Sequence, residues 1–329
     1  MNTQHAPGPS RLLTVAHTLL VGVALLWLGC RPSVPTEPPQ AAQRSDSNRV
    51  TAERLVTVGG GITETVFALG LGQHVVGVDT SSVFPSEATR LPKVGYQRTL
   101  SAEGVLALRP TRVLVAEEAG PPHALAQLRS AGVPVELISG SPTIAGARAK
   151  ILTIAKLLEV AERGAQLVAQ LDAEVARAQS IALGSGKKRR VLFLYARSAG
   201  TLLVAGNDTT PAAMIELAGA ENAASAVHGF KPYSAEAIVA AQPDVLLLTD
   251  SGAASLGGAA GVQKLPGLTA LPGHSAPSLI TIDDLLLLGF GPRTGQALAE
   301  LRTKLARLST PAIVAAEQRT ERAQTGVQP

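Results

Sequence analysis

The chain has 329 residues, 46% of them apolar, 16% charged and only 3% aromatic, with a formal net charge of +4. That length accommodates two domains, each with its own core, and the excess of apolar over charged residues excludes a disordered chain. Basic residues are scattered. The one run, Lys187-Lys-Arg-Arg190, precedes a predicted strand with no aromatic residues interleaved, so it reads as a solvated surface and nucleic acid is not an expected partner.

Residues 12–29 form an apolar run behind a polar segment carrying Arg11, the layout of a secretory signal, and the run ends at Cys30. Cys30 is the only cysteine, so no internal disulfide forms. Leu28-Gly-Cys30 resembles a bacterial lipoprotein processing site, which would make Cys30 the lipidated first residue; Trp27 and the bulky Leu28 depart from the usual pattern. Ordinary signal cleavage and an uncleaved anchor are the alternatives, and all three place the rest of the chain outside the cytoplasm, touching a membrane only through such an anchor. Residues 1–30 are thus the leader. Residues 31–49, rich in Pro, Gln, Ser and Glu, read as a flexible tether.

From residue 50 to 142 the pattern alternates strand and helix. Arg54–Val58 is a β-branched run closed by Gly59-Gly-Gly61 and followed by helical spacing over Ile62–Leu69. His74–Val78, Val113–Val115 and Val133–Ile138 read as further strands, with helices over Ser101–Pro110, opened by a Ser cap, and over Ala124–Ala131. Such alternation predicts parallel βα units. The pattern then recurs. Ser101-Ala-Glu-Gly-Val-Leu-Ala-Leu-Arg-Pro-Thr-Arg-Val-Leu-Val115 aligns without a gap on Ser234-Ala-Glu-Ala-Ile-Val-Ala-Ala-Gln-Pro-Asp-Val-Leu-Leu-Leu248, and Arg190–Leu194 takes the part of Arg54–Val58. Two equivalent α/β lobes follow, the second over residues 185–310. Between them, residues 143–184 are Ala-, Leu-, Glu- and Arg-rich, which predicts helix with a break near Glu159–Glu162 and then one long connecting helix. Residues 311–329 form a polar tail expected to fray.

The chain has three tyrosines, and two stand two residues before an arginine: Tyr96 with Arg98, and Tyr195 with Arg197. In an extended segment such residues share a face, so each pair presents a phenol and a guanidinium to one space. A guanidinium favours the phenolate, the form that ligates ferric iron, and Tyr-held haem is a known ligation mode. The histidines of the mature part, His74, His123, His228 and His274, show no metal-ligand spacing. His228 is the reserve candidate for a second haem contact.

With the leader, the repeated lobes, the helical linker and Gly95-Tyr-Gln-Arg-Thr-Leu100, the chain resembles the haem-transport substrate-binding proteins of bacterial ABC importers over residues 50–308. Its specific segments are Arg54-Leu-Val-Thr-Val-Gly-Gly60, Leu91-Pro-Lys-Val-Gly-Tyr-Gln-Arg-Thr-Leu-Ser-Ala-Glu-Gly104, Lys231-Pro-Tyr-Ser-Ala-Glu-Ala237 and Leu288-Gly-Phe-Gly-Pro-Arg293. The resemblance implies two Rossmann-like lobes with parallel sheets joined by a long α-helix, the rigid-helix class of periplasmic binding protein. It implies Tyr96 as iron ligand and Arg98 as hydrogen-bond partner of the phenolate. Relatives place His, or Tyr followed by x-Arg, after the first strand of the second lobe, and here that place holds Tyr195 and Arg197. One ferric haem b clamped between Tyr96 and Tyr195, or two stacked haems each taking one Tyr, are both consistent with it. By the same resemblance Tyr233 is better placed to meet a propionate or a haem face than iron. Glu103 and Glu236, equivalent in the repeat, are implied as the carboxylates that dock on an ABC permease dimer served by its ATPase subunits, the carrier itself being a monomer.

Two other readings compete. A cobalamin or ferric-siderophore carrier shares the architecture but has no need of a Tyr-x-Arg pair in each lobe. A dinucleotide-binding enzyme would use Gly59-Gly-Gly-Ile-Thr-Glu64, but Glu64 stands where the third glycine belongs. There is no Gly-x-Ser-x-Gly elbow, and catalysis has no constellation to rest on.

Overall fold

The computed structural model describes residues 53–184, 186–198, 201–268 and 276–308, except for the side chains of 197, 198 and 201. The leader, Cys30, the tether, His274 and the tail lie outside the described residues.

The first lobe runs β1 (Leu55–Val58), α1 (Gly60–Ala68), β2 (Val75–Val78), α2 (Ser86–Thr89), β3 (Gly95–Tyr96), β4 (Thr99–Leu100), α3 (Ala102–Ala107), β5 (Arg112–Ala116), α4 (Pro122–Ser130) and β6 (Val135–Ile138). Its main sheet has the order β2-β1-β5-β6 with every pairing parallel. Both faces are covered, so β1 is buried at all four positions and alternation sorts its neighbours to two cores. Leu55, Leu114 and Ile138 pack with Ile62 and Val66 on one face, and Val56, Val58, Val113 and Val115 with Val105 and Leu128 on the other.

The linker is two helices, α5 (Ile144–Leu157) and α6 (Ala161–Gln179). Thr143 caps the first, accepting from the Gly146 amide at 2.9 Å, and Glu159, at φ 57°, turns the chain between them. A Cβ on Gly164 would stand 2.4 Å from that of Ala155, so the glycine is what lets α6 lie against α5.

The second lobe continues with β7 (Arg190–Ser198), β8 (Thr201–Ala205), α7 (Thr210–Leu217), β9 (Glu221–Asn222), β10 (Phe230–Pro232), α8 (Ala235–Ala241), β11 (Val245–Thr249), α9 (Asp250–Ser255), α10 (Gly258–Val262), β12 (Ser278–Ile282), α11 (Asp284–Leu288) and α12 (Thr294–Leu308). Here β7, β11 and β12 are parallel, as the βα pattern predicts. The sheet then goes further than that expectation. Strand β7 is nine residues long against four for β1; its first half pairs with β11, and its second half pairs antiparallel with β8, which pairs antiparallel with β10. A strand that outruns its parallel neighbours must satisfy its remaining backbone groups elsewhere, and the hairpin does so.

The sequence repeat is a structural one. β5 and β11 have bounds that correspond residue for residue in the alignment, and each lies beside the first strand of its lobe. Ser101 and Ser234 cap the preceding helices alike, each accepting a backbone N–H at 3.1 Å.

Among the described residues, the second lobe meets both the linker and the first lobe. Lys150 of α5, buried at 8% exposure, donates to the carbonyls of Gly289 at 3.0 Å and Phe290 at 3.1 Å. Arg293 donates to both oxygens of Glu64, Nη2 at 2.9 Å and its amide at 3.2 Å, while its guanidinium lies 3.5 Å over the Phe84 ring. A Cβ on Gly61 would come within 2.6 Å of the Gly289 carbonyl and one on Gly60 within 2.6 Å of the Leu285 side chain, so these two glycines permit the approach of the other lobe. Glu64, at the place of a fingerprint's third glycine, is the partner of Arg293.

Candidate functional site: the cleft between the lobes

Tyr96 reaches the cleft on a small hairpin that stands off the main sheet. Gly95 pairs with Leu100 and Tyr96 with Thr99, leaving Gln97 and Arg98 as the two-residue turn. The hairpin is pinned on both sides: the Thr80 amide donates to the Gly95 carbonyl at 2.9 Å, and Gly120 exchanges backbone hydrogen bonds with Gln97 and Leu100, both 2.9 Å. Gly95 sits at φ 100°, a conformation open to glycine at low cost. This corrects the expectation that Tyr96 and Arg98 share one face of a continuous extended segment. The strand ends at Tyr96, and Arg98 lies exposed in the turn, where the period of two no longer governs direction.

Tyr195 arrives differently, on β7 itself, opposite Leu203 of β8. Its ring stacks near Phe193, centroids 6.4 Å apart at 24°, and lies 5.7 Å from the exposed Phe230 of β10 at 51°. The same-face expectation for Arg197 also meets an irregularity, because the β7–β8 register shifts between Ala196 and Ser198. The Arg197 side chain lies outside the described residues.

Both tyrosines line one cavity of about 490 Å³ between the lobes, within the range of roughly 300–1,000 Å³ usual for small-molecule sites. Gly59–Gly61 form part of its floor, and residues 283–285 and 288–290 close it from the second lobe. Among the described residues, the charged side chains that line it are Glu118, Lys150, Asp283 and Asp284. The acids of the second lobe are already engaged, Asp283 accepting the Leu286 amide at 2.8 Å as the cap of α11, and Asp284 accepting from the amide and hydroxyl of Ser251. Burial holds the Lys150 ammonium below the ordinary lysine pKa, with Glu118 and Glu64 opposing that shift. Beneath the floor, the buried Asp79 accepts from the Gly59 amide at 2.9 Å, the Ser81 amide at 2.9 Å and the Ser82 hydroxyl at 2.7 Å, which sets the glycine run against the Ser81 loop.

Tyr233 does not join this cavity. It follows β10, donates its hydroxyl to the Pro266 carbonyl and packs on the core beneath β8 and β11, and burial pushes its phenol above the ordinary value. His228 lies on the outside of the second lobe, 2.7 Å from Asp208 with both side chains mostly exposed. Among the described residues no group of three or more His, Cys, Asp or Glu could hold a metal ion. Glu103 and Glu236 occupy the first turns of α3 and α8, both exposed. The Glu236 carboxyl is held below the usual range by its own backbone N–H and by the Ser234 hydroxyl. Lys150, Asp79 and Glu118 escaped the sequence reading because no motif marks them. Their one signal is position, each following a predicted strand or opening the linker.

The periplasmic binding protein family model matches residues 55–284, most of the described chain. The chain belongs to the periplasmic binding protein family. This periplasmic binding protein superposes on the periplasmic heme-binding protein RhuT from Roseiflexus sp. RS-1 in its apo form, with a TM-score of 0.74 and 46% identity over 78% of this chain and 98% of that one. It is similar as well to the periplasmic heme-binding protein BhuT in complex with two hemes, with a TM-score of 0.73 and 42% identity over 78% and 98% of the two chains. In sequence it is 25% identical to the uncharacterized ABC transporter substrate-binding lipoprotein YvrC of Bacillus subtilis strain 168, over 86% of this chain and 93% of that protein. A vitamin B12-binding protein of Vibrio campbellii is 25% identical over 59% of this chain and 70% of its own length. The family and these relatives are substrate-binding proteins, and the fold is the two-lobe one.

Proposed function

We propose that this protein is the extracytoplasmic carrier of a haem ABC importer, taking ferric haem b between its lobes and delivering it to the permease. The observation that carries the reading is that Tyr96 of one lobe and Tyr195 of the other line a single cavity. Two phenols, one from each lobe, would serve one ferric iron or one iron each of two stacked haems. An iron-bound phenolate at Tyr96 would lie two residues from Arg98 in sequence, and one at Tyr195 two residues from Arg197, and a positive charge brought near a phenolate favours its charged form. The likeness to two haem-binding proteins at 46% and 42% identity favours haem over cobalamin as the cargo.

The repeat supports a delivery role of the kind the resemblance implies. Glu103 and Glu236 project from equivalent helices, one per lobe, and bind arginines of a permease dimer whose ATPase subunits drive transport. The protein acts as a monomer, tethered through residues 31–49 to a lipidated Cys30 once the leader is processed. It is not an enzyme.

Titration of the purified protein with hemin tests the reading. A Soret band and the charge-transfer absorption of phenolate-bound ferric iron, saturating at one or two equivalents, are expected. The Tyr96→Ala/Tyr195→Ala double variant is expected to lose tight binding while keeping the wild-type circular dichroism. Wild-type affinity in that variant would refute the ligand assignment, and uptake of cyanocobalamin with no response to hemin would replace the cargo.

A further inference from the structure

The face of the second-lobe sheet that carries Tyr195 is not fully covered by the described residues. Residues 193 and 195 of β7, 203 and 205 of β8, and 230 and 232 of β10 share one face, because Leu203 pairs with both Tyr195 and Pro232 while Ala205 pairs with Phe230. At the inner end of this face Phe193 and Ala205 are fully buried in the lobe core. Burial fails on β10 and in the next row outward: Phe230, opposite Ala205, is 44% exposed, Tyr195 and Leu203 are only part-buried, and Pro232 is exposed. Leu203, Phe230 and Pro232 thus form an apolar shelf. It is continuous with the cavity through Tyr195, whose ring meets that of Phe230 at 5.7 Å.

We infer that this shelf is part of the ligand site, and that one face of the porphyrin lies against Phe230 and Leu203 beside Tyr195. This rests on the haem reading and adds a second recognition element to it: ligation selects the iron, and the shelf selects a flat, apolar macrocycle. A large exposed aromatic on an edge strand is a liability unless something covers it. A porphyrin edge reaching past Tyr195 covers it, and offset aromatic stacking adds to the apolar burial. The placement also explains why β7 is extended and why β8 and β10 are added. Without that hairpin Tyr195 would stand at the end of a bare strand with nothing beside it to receive a ring.

The test is the release of hemin to excess apomyoglobin from the wild type, Phe230→Ser and Phe230→Leu. Phe230→Ser is expected to release about fivefold to tenfold faster, as loss of a partly buried Phe side chain implies, with its Soret and charge-transfer positions unchanged. Phe230→Leu, which keeps apolar area, is expected to fall between the two. The same order is expected in titrations with iron-free protoporphyrin IX followed by porphyrin fluorescence, where ligation by Tyr plays no part. Equal release rates in all three proteins, with the wild type binding hemin, would overturn the shelf and leave the carrier reading standing. A wild type that binds neither hemin nor protoporphyrin would overturn both.

Discussion

The two lobes descend from one pattern yet deliver their tyrosines by different means. In the first lobe the main sheet is short, parallel and enclosed, and Tyr96 is brought in by a separate hairpin pinned to Thr80 and Gly120. In the second, the first strand runs on past its parallel partners and carries Tyr195 itself, flanked by a hairpin with exposed apolar residues. The repeat therefore preserves what builds a lobe, the capped helix and the buried strand after it, and not what builds the site. A site between lobes is asymmetric even where its scaffold is duplicated. That asymmetry can be tested from each side.

The largest effect is expected where the lobes are joined. The Glu64 side chain is 4% exposed and that of Arg293 18%, and they pair at 2.9 Å. Breaking a buried pair from one side leaves an uncompensated charge and costs about 3–5 kcal/mol. Both Glu64→Ala and Arg293→Ala should lower the urea midpoint accordingly. Arg293→Ala should cost more, because it strands the deeper carboxylate and also removes the contact with Phe84. The double variant should cost less than the two singles summed. Additive losses would mean that the pair does not couple the lobes.

The tyrosines should differ in a smaller but more specific way. Tyr96→Ala removes the proposed iron ligand of the first lobe, and an affinity loss of about 100-fold for hemin, roughly 2.7 kcal/mol, is expected. Tyr195→Ala leaves Phe230 and Leu203 in place to cover a ring, so a loss of about tenfold is expected. Absorbance titration measures both. Equal losses would show that the two walls contribute alike, and that the difference in how they are built has no functional consequence.

Much of this architecture was legible in the residues. The Ser-Ala-Glu repeat marked equivalent helices because a cap, a first-turn carboxylate and a buried strand at fixed offsets are a local code, and β5 and β11 begin and end at the aligned positions. The break in the linker falls at Leu158–Val160, beside the expected place. What the residues could not convey was tertiary. Whether Tyr96 and Arg98 sit on a strand or straddle a turn depends on a hairpin held by Thr80 and Gly120, residues distant from it in sequence. The repeated spacing hid the fact that the first copy is a turn and the second meets a register shift. Lys150 looked like one helix residue among many, and its burial depends on carbonyls 139 and 140 positions away. Tyr233 shared a motif block with Glu236, but its hydroxyl went to Pro266 instead of the cleft.

The smallest expected effect concerns the part of the repeat that is most alike. Ser101 and Ser234 each accept one backbone N–H at 3.1 Å, so Ser101→Ala and Ser234→Ala should each cost about 1 kcal/mol, equal within error by chemical denaturation. In acid the second lobe adds an effect of its own. The Glu236 carboxyl is held below the ordinary range by its backbone N–H and by Ser234, so its ionised form contributes stability above the unfolded-state value, and that contribution is lost as pH falls through the lowered native value. In Ser234→Ala the hydroxyl's share disappears, and the Glu236 pKa, followed by carboxyl NMR titration, should move upward while the backbone's share remains. Because Glu236 is fully exposed, the change should register in the titration curve more clearly than in the unfolding midpoint. An unmoved Glu236 would mean that the capping serine does not reach this carboxylate, and that the two capped turns differ in nothing but the residues beyond them.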